Sequence, residues 1–173
     1  MPQVQWSMNM ALCLFAGNSF YSAKLGHLMK LFCILLFVFS LGFSNANASK
    51  IDEAHNAFGS GDYDKSFRIF SELSNQGDAE SSYMLGTMYL MVTLPEEILR
   101  DLMLKDKRPQ DVGVRLIEKS AKMGFAGGLE MIASFHERGF AGYRKDNAIA
   151  IEFREKAAAT GDAVAEYNLA VAL

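Results

Sequence analysis

Three glycines, Gly77, Gly124 and Gly161, frame this chain: they stand 47 and 37 residues apart, each between two helix-like segments. The segments before them are 62–76, 110–123 and 146–160, and those after them 79–90, 126–137 and 163–173. Glycine just past a helix end takes the left-handed conformation without a Cβ clash, so each glycine reads as a helix stop. Asp78 and Asp162 follow two of them, and Asp62 and Asp146 open two of the preceding segments; an aspartate there accepts the free N–H groups of a helix start. Small residues (Ser74, Ala121 and Ala158) recur three positions before each glycine, and Leu73, Ser120 and Ala157 four before, so a neighbouring helix can come close. Apolar residues follow a spacing of three or four: Phe67, Phe70 and Leu73; Val114, Ile117 and Ala121; Ala150, Phe153 and Ala157. In the following segments Leu85, Ile132 and Leu169 are equivalent, beside Gly86, Ala133 and Ala170. The pattern predicts antiparallel helix pairs, repeated, whose apolar faces are buried only by stacking: an all-α solenoid.

One run carries a resemblance. Asp146-x3-Ala150-x2-Phe153-x2-Lys156-Ala157-Ala158-x2-Gly161, followed by Ala163-x3-Tyr167-x-Leu169-Ala170, resembles the Sel-1-like repeat, a longer relative of the tetratricopeptide repeat. Ala79-x3-Tyr83-x-Leu85-Gly86-x2-Tyr89 is similar to the family's first helix, and Gly61-Asp62-Tyr63-x-Lys65-Ser66 to the start of its second, in a tetratricopeptide-like form. The middle unit departs, with His136 where Tyr89 stands and Phe125 in place of a capping aspartate; the second-helix aromatic pair is reduced to Phe153-Arg154. The resemblance spans about 51–173 and divides it into 49–77, 78–124 with an insertion at 91–109, 125–161, and a partial unit 162–173. It implies protein–protein interaction or assembly of larger complexes, often in bacterial envelopes, rather than catalysis.

The insertion accounts for the longer glycine spacing. Thr93-x-x-Glu96 has the form of a capping box with Pro95 in the first turn, and Ile98, Leu99, Leu102 and Met103 would share one face of an extra short helix. Packing back on the repeat is the expectation, with a binding role the alternative. Ala163–Leu173 forms half a unit with few polar residues, whereas a solenoid end normally carries a polar outer face. Truncation relative to longer relatives is expected, docking against another chain being the alternative.

Charge divides the chain. Residues 1–51 contain Lys24, Lys30 and Lys50 and no Asp, Glu or Arg; all 20 acidic residues lie beyond them. Met29-Lys30 precede the uncharged apolar run Leu31–Phe43, and Ala46 and Ala48 give an A-x-A pattern, so 29–48 reads as a signal peptide cleaved between Ala48 and Ser49. A spanning helix needs about 20 apolar residues; a retained membrane anchor is the alternative. Residues 1–28 carry no interpretable pattern and suit an over-extended start. Cys13 and Cys33 both precede the cleavage site, so the expected periplasmic or secreted product has no cysteine.

Chemistry-bearing motifs are missing from 49–173. His136-Glu137 begins like H-E-x-x-H, but Phe140 stands at the second ligand position, and His55 is distant, so no metal site is expected. Gly59-Ser60-Gly61 is a turn and Gly127-Gly128 follows no strand; neither cradles phosphate. Glu96 and Glu97 are adjacent and cannot face one substrate. Lys105–Arg108 is basic but lacks interleaved aromatics, and the chain's formal charge of −3 argues against nucleic acid. No catalytic residue or cofactor is expected; the alternative is a periplasmic enzyme or enzyme subunit whose chemistry these motifs do not show. First helices of such pairs line a concave surface suited to a peptide or helix, and Tyr83, Tyr89, Phe135, His136 and Tyr167 are the candidate contacts, with Met84, Met88 and Glu130.

Overall fold

The structure, a computed structural model, describes residues 48–173. Residues 1–28 and the expected signal segment as far as Asn47 lie outside them; Ala48 and Ser49 open the first described helix. Eight helices and no strand occur among the described residues. They are α1 (48–59), α2 (Tyr63–Asn75), α3 (Ala79–Met91), α4 (Glu96–Leu104), α5 (Pro109–Lys122), α6 (Ala126–Arg138), α7 (Asn147–Ala158) and α8 (Ala163–Ala172).

The marker glycines end helices as their neighbours require. Gly77, Gly124 and Gly161 have φ of +90°, +81° and +82°. After α2, Asp78 N–H donates to Leu73 O (3.0 Å) and Gly77 N–H to Ser74 O (3.1 Å). After α5, Phe125 N–H donates to Ser120 O (3.2 Å) and Gly124 N–H to Ala121 O (2.9 Å). These paired bonds satisfy carbonyls the helix leaves free. Each next helix then starts on its cap: the Asp78 carboxylate accepts from Ser81 N–H at 2.6 Å and Asp162 from Ala165 N–H at 2.9 Å. Asp62 and Asp146 cap α2 and α7 in the same way. Hydrogen bonds from Ile149 N–H and the Arg144 guanidinium hold the Asp146 carboxyl below its ordinary range.

α3 pairs with α5 and α6 with α7; α2 on α3, α5 on α6 and α7 on α8 stack the pairs in sequence. First helices α3, α6 and α8 also touch in succession, while second helices α2, α5 and α7 barely meet. The first helices therefore line the inner side of the array. α3 and α5 cross backbone to backbone: a Cβ on Gly113 would stand 2.8 Å from Gly86 O, and one on Gly86 would stand 3.0 Å from Gly113 O.

Leu85, Ile132, Ala150 and Ala157 are buried, and Phe153 and Ala158 half-buried. One core cluster joins Ala54, Phe67, Phe70, Leu85, Met88, Leu94 and Leu102; Ile117, Ile132 and Phe135 form another, and Leu129, Ala157 and Ala165 a third with Ala126. A polar seam ties the first units together. Ser74 and Ser82 hydroxyls lie 2.9 Å apart, Ser120 Oγ donates to Ala79 O at 2.7 Å, and Lys119 Nζ donates to Ser74 O at the end of α2. A cation there meets the negative end of the helix dipole.

The insertion folds as α4 and packs Ile98, Leu99 and Leu102 onto the first cluster. Two details differ from the sequence expectation. Thr93 does not cap α4: its N–H (3.0 Å) and hydroxyl (3.4 Å) donate to Met88 O, closing α3, and Pro95 takes the cap position without a side-chain bond. Met103 is 78% exposed, because Leu102 rather than Met103 completes the buried stripe of this short helix.

Closing α3 forces Val92 into the left-handed region, φ 56° and ψ 31°. A left-handed L-residue costs roughly 1–2 kcal/mol, and a β-branched one is disfavoured further. Val92 is exposed, so little packing opposes a change. Val92→Gly is expected to stabilise the protein by about 1 kcal/mol, read as a higher urea midpoint. A lower midpoint would show that this turn carries no such strain.

Candidate functional site: a groove on the inner helices

A groove of ≈ 400 Å³ runs between α3, α6 and α8. Tyr83 of α3 and Phe125, at the start of α6, form its aromatic wall, ring centroids 5.5 Å apart. Gly127, Met131 and Ser134 of α6 and Val164 and Asn168 of α8 complete it. Phe125 stands where the other first helices carry a capping aspartate, so α6 starts without a side-chain cap and gives its aromatic ring to the groove. Gly127 keeps the wall in place: a Cβ there would come within 2.8 Å of the Phe125 ring.

Glu130 and Asp162 bring negative charge to this lining, which holds no basic side chain. Asn168 Nδ2 donates to Glu130 Oε2 at 3.1 Å, linking α8 to α6. Arg154 of α7 lies beneath, its Nη2 donating to Glu137 at 2.9 Å and its Nε 3.9 Å from Glu130. The Arg154 pairs join the two helices of one unit below the groove, and the Asn168–Glu130 bond ties the next unit to it.

Of the sequence candidates, Tyr83 and Glu130 line the groove; the others sit elsewhere. Tyr89 is half-buried on Phe67 (5.9 Å between centroids), and burial, then Asp101, raises its hydroxyl pKa above the ordinary value. Met84 packs on the same cluster and Met88 is fully buried. Phe135 is 3% exposed: spaced three residues from Ile132, it turns into the core against Phe140 and Tyr143, and offers no surface to a partner. His136 is half-buried between Tyr143 and Phe153, its Nδ1 3.3 Å from Arg144 O, on the side facing the α6–α7 connection. Tyr167 is 69% exposed and shares an outward stripe of α8 with Val171 (69%). Met131, Ser134 and Asn168 are not among the candidate contacts, and Phe125 figures in the sequence only as a missing cap. The missing aspartate at 125 was the available signal, since a bulky ring at a cap position is there for something other than the cap.

A second cavity, ≈ 410 Å³, opens on the other side, between α5 and α7. Leu129 and Ile132 of α6 form its floor, Ala121 and Phe153 its walls. Tyr143 closes one end, its hydroxyl donating to Glu118 Oε1 at 2.7 Å. Burial and then the Glu118 carboxylate push that hydroxyl's pKa well up, so it stays a donor.

No family model matches this sequence, and no curated protein does. Solved structures that this chain is similar to include the following two. A protective antigen present in uropathogenic Escherichia coli strains, displaying an SLR fold, superposes with TM-score 0.54 at 23% identity, over 71% of this chain and 25% of that one. A Sel1 repeat protein from Oxalobacter formigenes gives TM-score 0.48 at 23% identity, over 78% and 96% of the two chains. The chain thus spans a quarter of the antigen's length. The superposition on the antigen bears out, at the level of fold, the Sel-1-like resemblance carried by Asp146–Gly161 and the segments around it.

Proposed function

Starting from a Sel1-like repeat fold, we propose that this protein is a non-catalytic interaction scaffold that holds a protein or peptide segment in the groove between α3, α6 and α8, in the bacterial envelope. The observation that carries the reading is the groove itself: three successive first helices present an aromatic wall, Tyr83 and Phe125, beside polar Ser134 and Asn168. Aromatic anchors with a few polar groups are what a side chain of a bound peptide needs. Export is supported by the basic start, the apolar run Leu31–Phe43 and the small residues before Ser49. No nucleic acid or cofactor enters this reading, and a membrane enters only if the segment is uncleaved.

A photo-crosslinking residue at Ser134, compared with one at exposed Arg115 on α5, tests the groove in cells. A defined adduct from position 134 alone is expected, weakened about tenfold by Gly127→Leu, which fills the groove. Equal adduct patterns from both positions would refute the groove as the binding surface. N-terminal sequencing of the mature protein should begin at Ser49; a chain beginning at Met29 or earlier would replace the exported scaffold by a membrane-tethered one.

A further inference from the structure

The two junctions between successive second helices are built differently. At the first, Lys119 of α5, five residues before Gly124, reaches back to the end of α2 and donates to Ser74 O and, at 3.3 Å, to Ser74 Oγ. Lys156 of α7 holds the equivalent place, five residues before Gly161, yet donates nothing to the end of α5. It lies instead over the Phe153 ring, 4.8 Å from its centroid, at the edge of the ≈ 410 Å³ cavity. Lys122, in the last turn of α5, lines the same cavity. Among the described residues neither lysine forms an ion pair or hydrogen bond. α5 and α7 are both second helices and run the same way, so their last turns bring the two ammonium groups to one end. Tyr143, which precedes α7, also lines the cavity and engages Glu118, the one carboxylate in the lining, one helical turn before Lys122.

The rest of the lining is apolar: Ala121, Leu129, Ile132 and Phe153. Leu129 and Ile132 are only 7% and 3% exposed, so the floor is rigid core. The volume falls within the range of small-molecule sites, which join apolar walls to a few placed polar groups. We propose that this cavity binds an amphipathic carboxylate, a medium-chain fatty acid, with its chain over Leu129, Ile132 and Phe153 and its head between Lys122 and Lys156. An uncharged chain would lose the two ammonium contacts, and a cationic one would meet them as repulsion.

The site is independent of the groove and can be tested on the purified full chain without knowing any protein partner. Decanoate and decyltrimethylammonium below their micelle concentrations, and decanol below its solubility limit, are titrated by calorimetry and by amide and methyl NMR. Decanoate is expected to bind at least tenfold tighter than decanol, with shifts centred on Leu129, Ile132 and Phe153, and decyltrimethylammonium weakest. Both lysines are exposed, so Lys122→Met/Lys156→Met should melt like the parent while binding decanoate no better than decanol. The proposal is overturned by equal affinity for decanoate and decanol, by shifts centred elsewhere, by the absence of binding, or by a double variant that keeps the preference for the acid.

Discussion

Gly113→Leu is expected to cost more than about 3 kcal/mol of stability, while Gly59→Ala is expected to cost nothing. The difference lies in what each added side chain meets. At 113 even a Cβ would sit 2.8 Å from Gly86 O, 3.0 Å from Leu90 Cγ and 3.1 Å from Tyr89 Cβ. The nearest of these is backbone, and it cannot yield without separating α3 from α5. Overpacking a tight core costs roughly 1–3 kcal/mol, occasionally more, and four heavy atoms at a backbone crossing belong at the upper end. Replacing a helical glycine recovers at most about 1 kcal/mol of propensity, so Gly113→Ala should fall between neutral and about 2 kcal/mol destabilised. Gly59 has nothing within 4 Å of its added Cβ and receives the propensity gain unopposed. Urea unfolding of the three variants separates these effects. A Gly113→Leu protein as stable as its parent would mean that α3 and α5 do not cross at these glycines.

The close crossing marks a boundary between what sequence reveals and what it hides. Helix ends were legible because their chemistry is local: Gly77 and Asp78, or Gly161 and Asp162, specify a stop and a start within two residues, and the structure has both. The 3–4 spacing of Phe67, Phe70 and Leu73 likewise named a buried face from neighbours on one helix. Gly113 was not legible, since its reason is Gly86 on another helix, and a helical glycine looks the same whether it meets a backbone or water. The buried Ser66, Ser81 and Ser82 belong to the same class, because their smallness matters only where a neighbouring helix arrives, whereas Ser74 and Ser120 are legible from their recurrence before the marker glycines.

The groove shows the same limit more sharply. Aromatic residues at helical spacing mark most of its candidates, a pattern that core and surface share. Tyr83 came out on the groove and Phe135 in the core because α6 turns Leu129, Ile132 and Phe135 toward the interior, a rotation set by its partner α7. Thr93 failed as a cap for a related reason. The motif has the right letters, but Met88 O at the end of α3 takes both the Thr93 N–H and its hydroxyl, which leaves neither for α4. The export signal, by contrast, is read from sequence alone.

Removing the Phe70 ring tests whether the units are energetically separable. Phe70 is fully buried, edge-on to His55 (5.3 Å, 75°), within the cluster that joins α1 and α2 to α3 and α4. Phe70→Ala should cost about 3–5 kcal/mol, a large share of the roughly 5–15 kcal/mol that holds a typical domain together. In a solenoid stability is the sum of unit terms and nearest-neighbour interfaces, so the loss falls where the ring was. Native-state hydrogen exchange of Phe70→Ala is then expected to show amides of α1 and α2 exchanging through local opening, up to about a thousandfold faster, while those of α6 and α7 keep their protection. The second clusters, built on Ile117, Ile132 and Leu129, contain no residue of α1 or α2 and have no reason to follow. If protection fell by one common factor from α1 to α7, the helices would form a single cooperative core, and the Gly86–Gly113 crossing together with the Lys119 bridge would be what couples them.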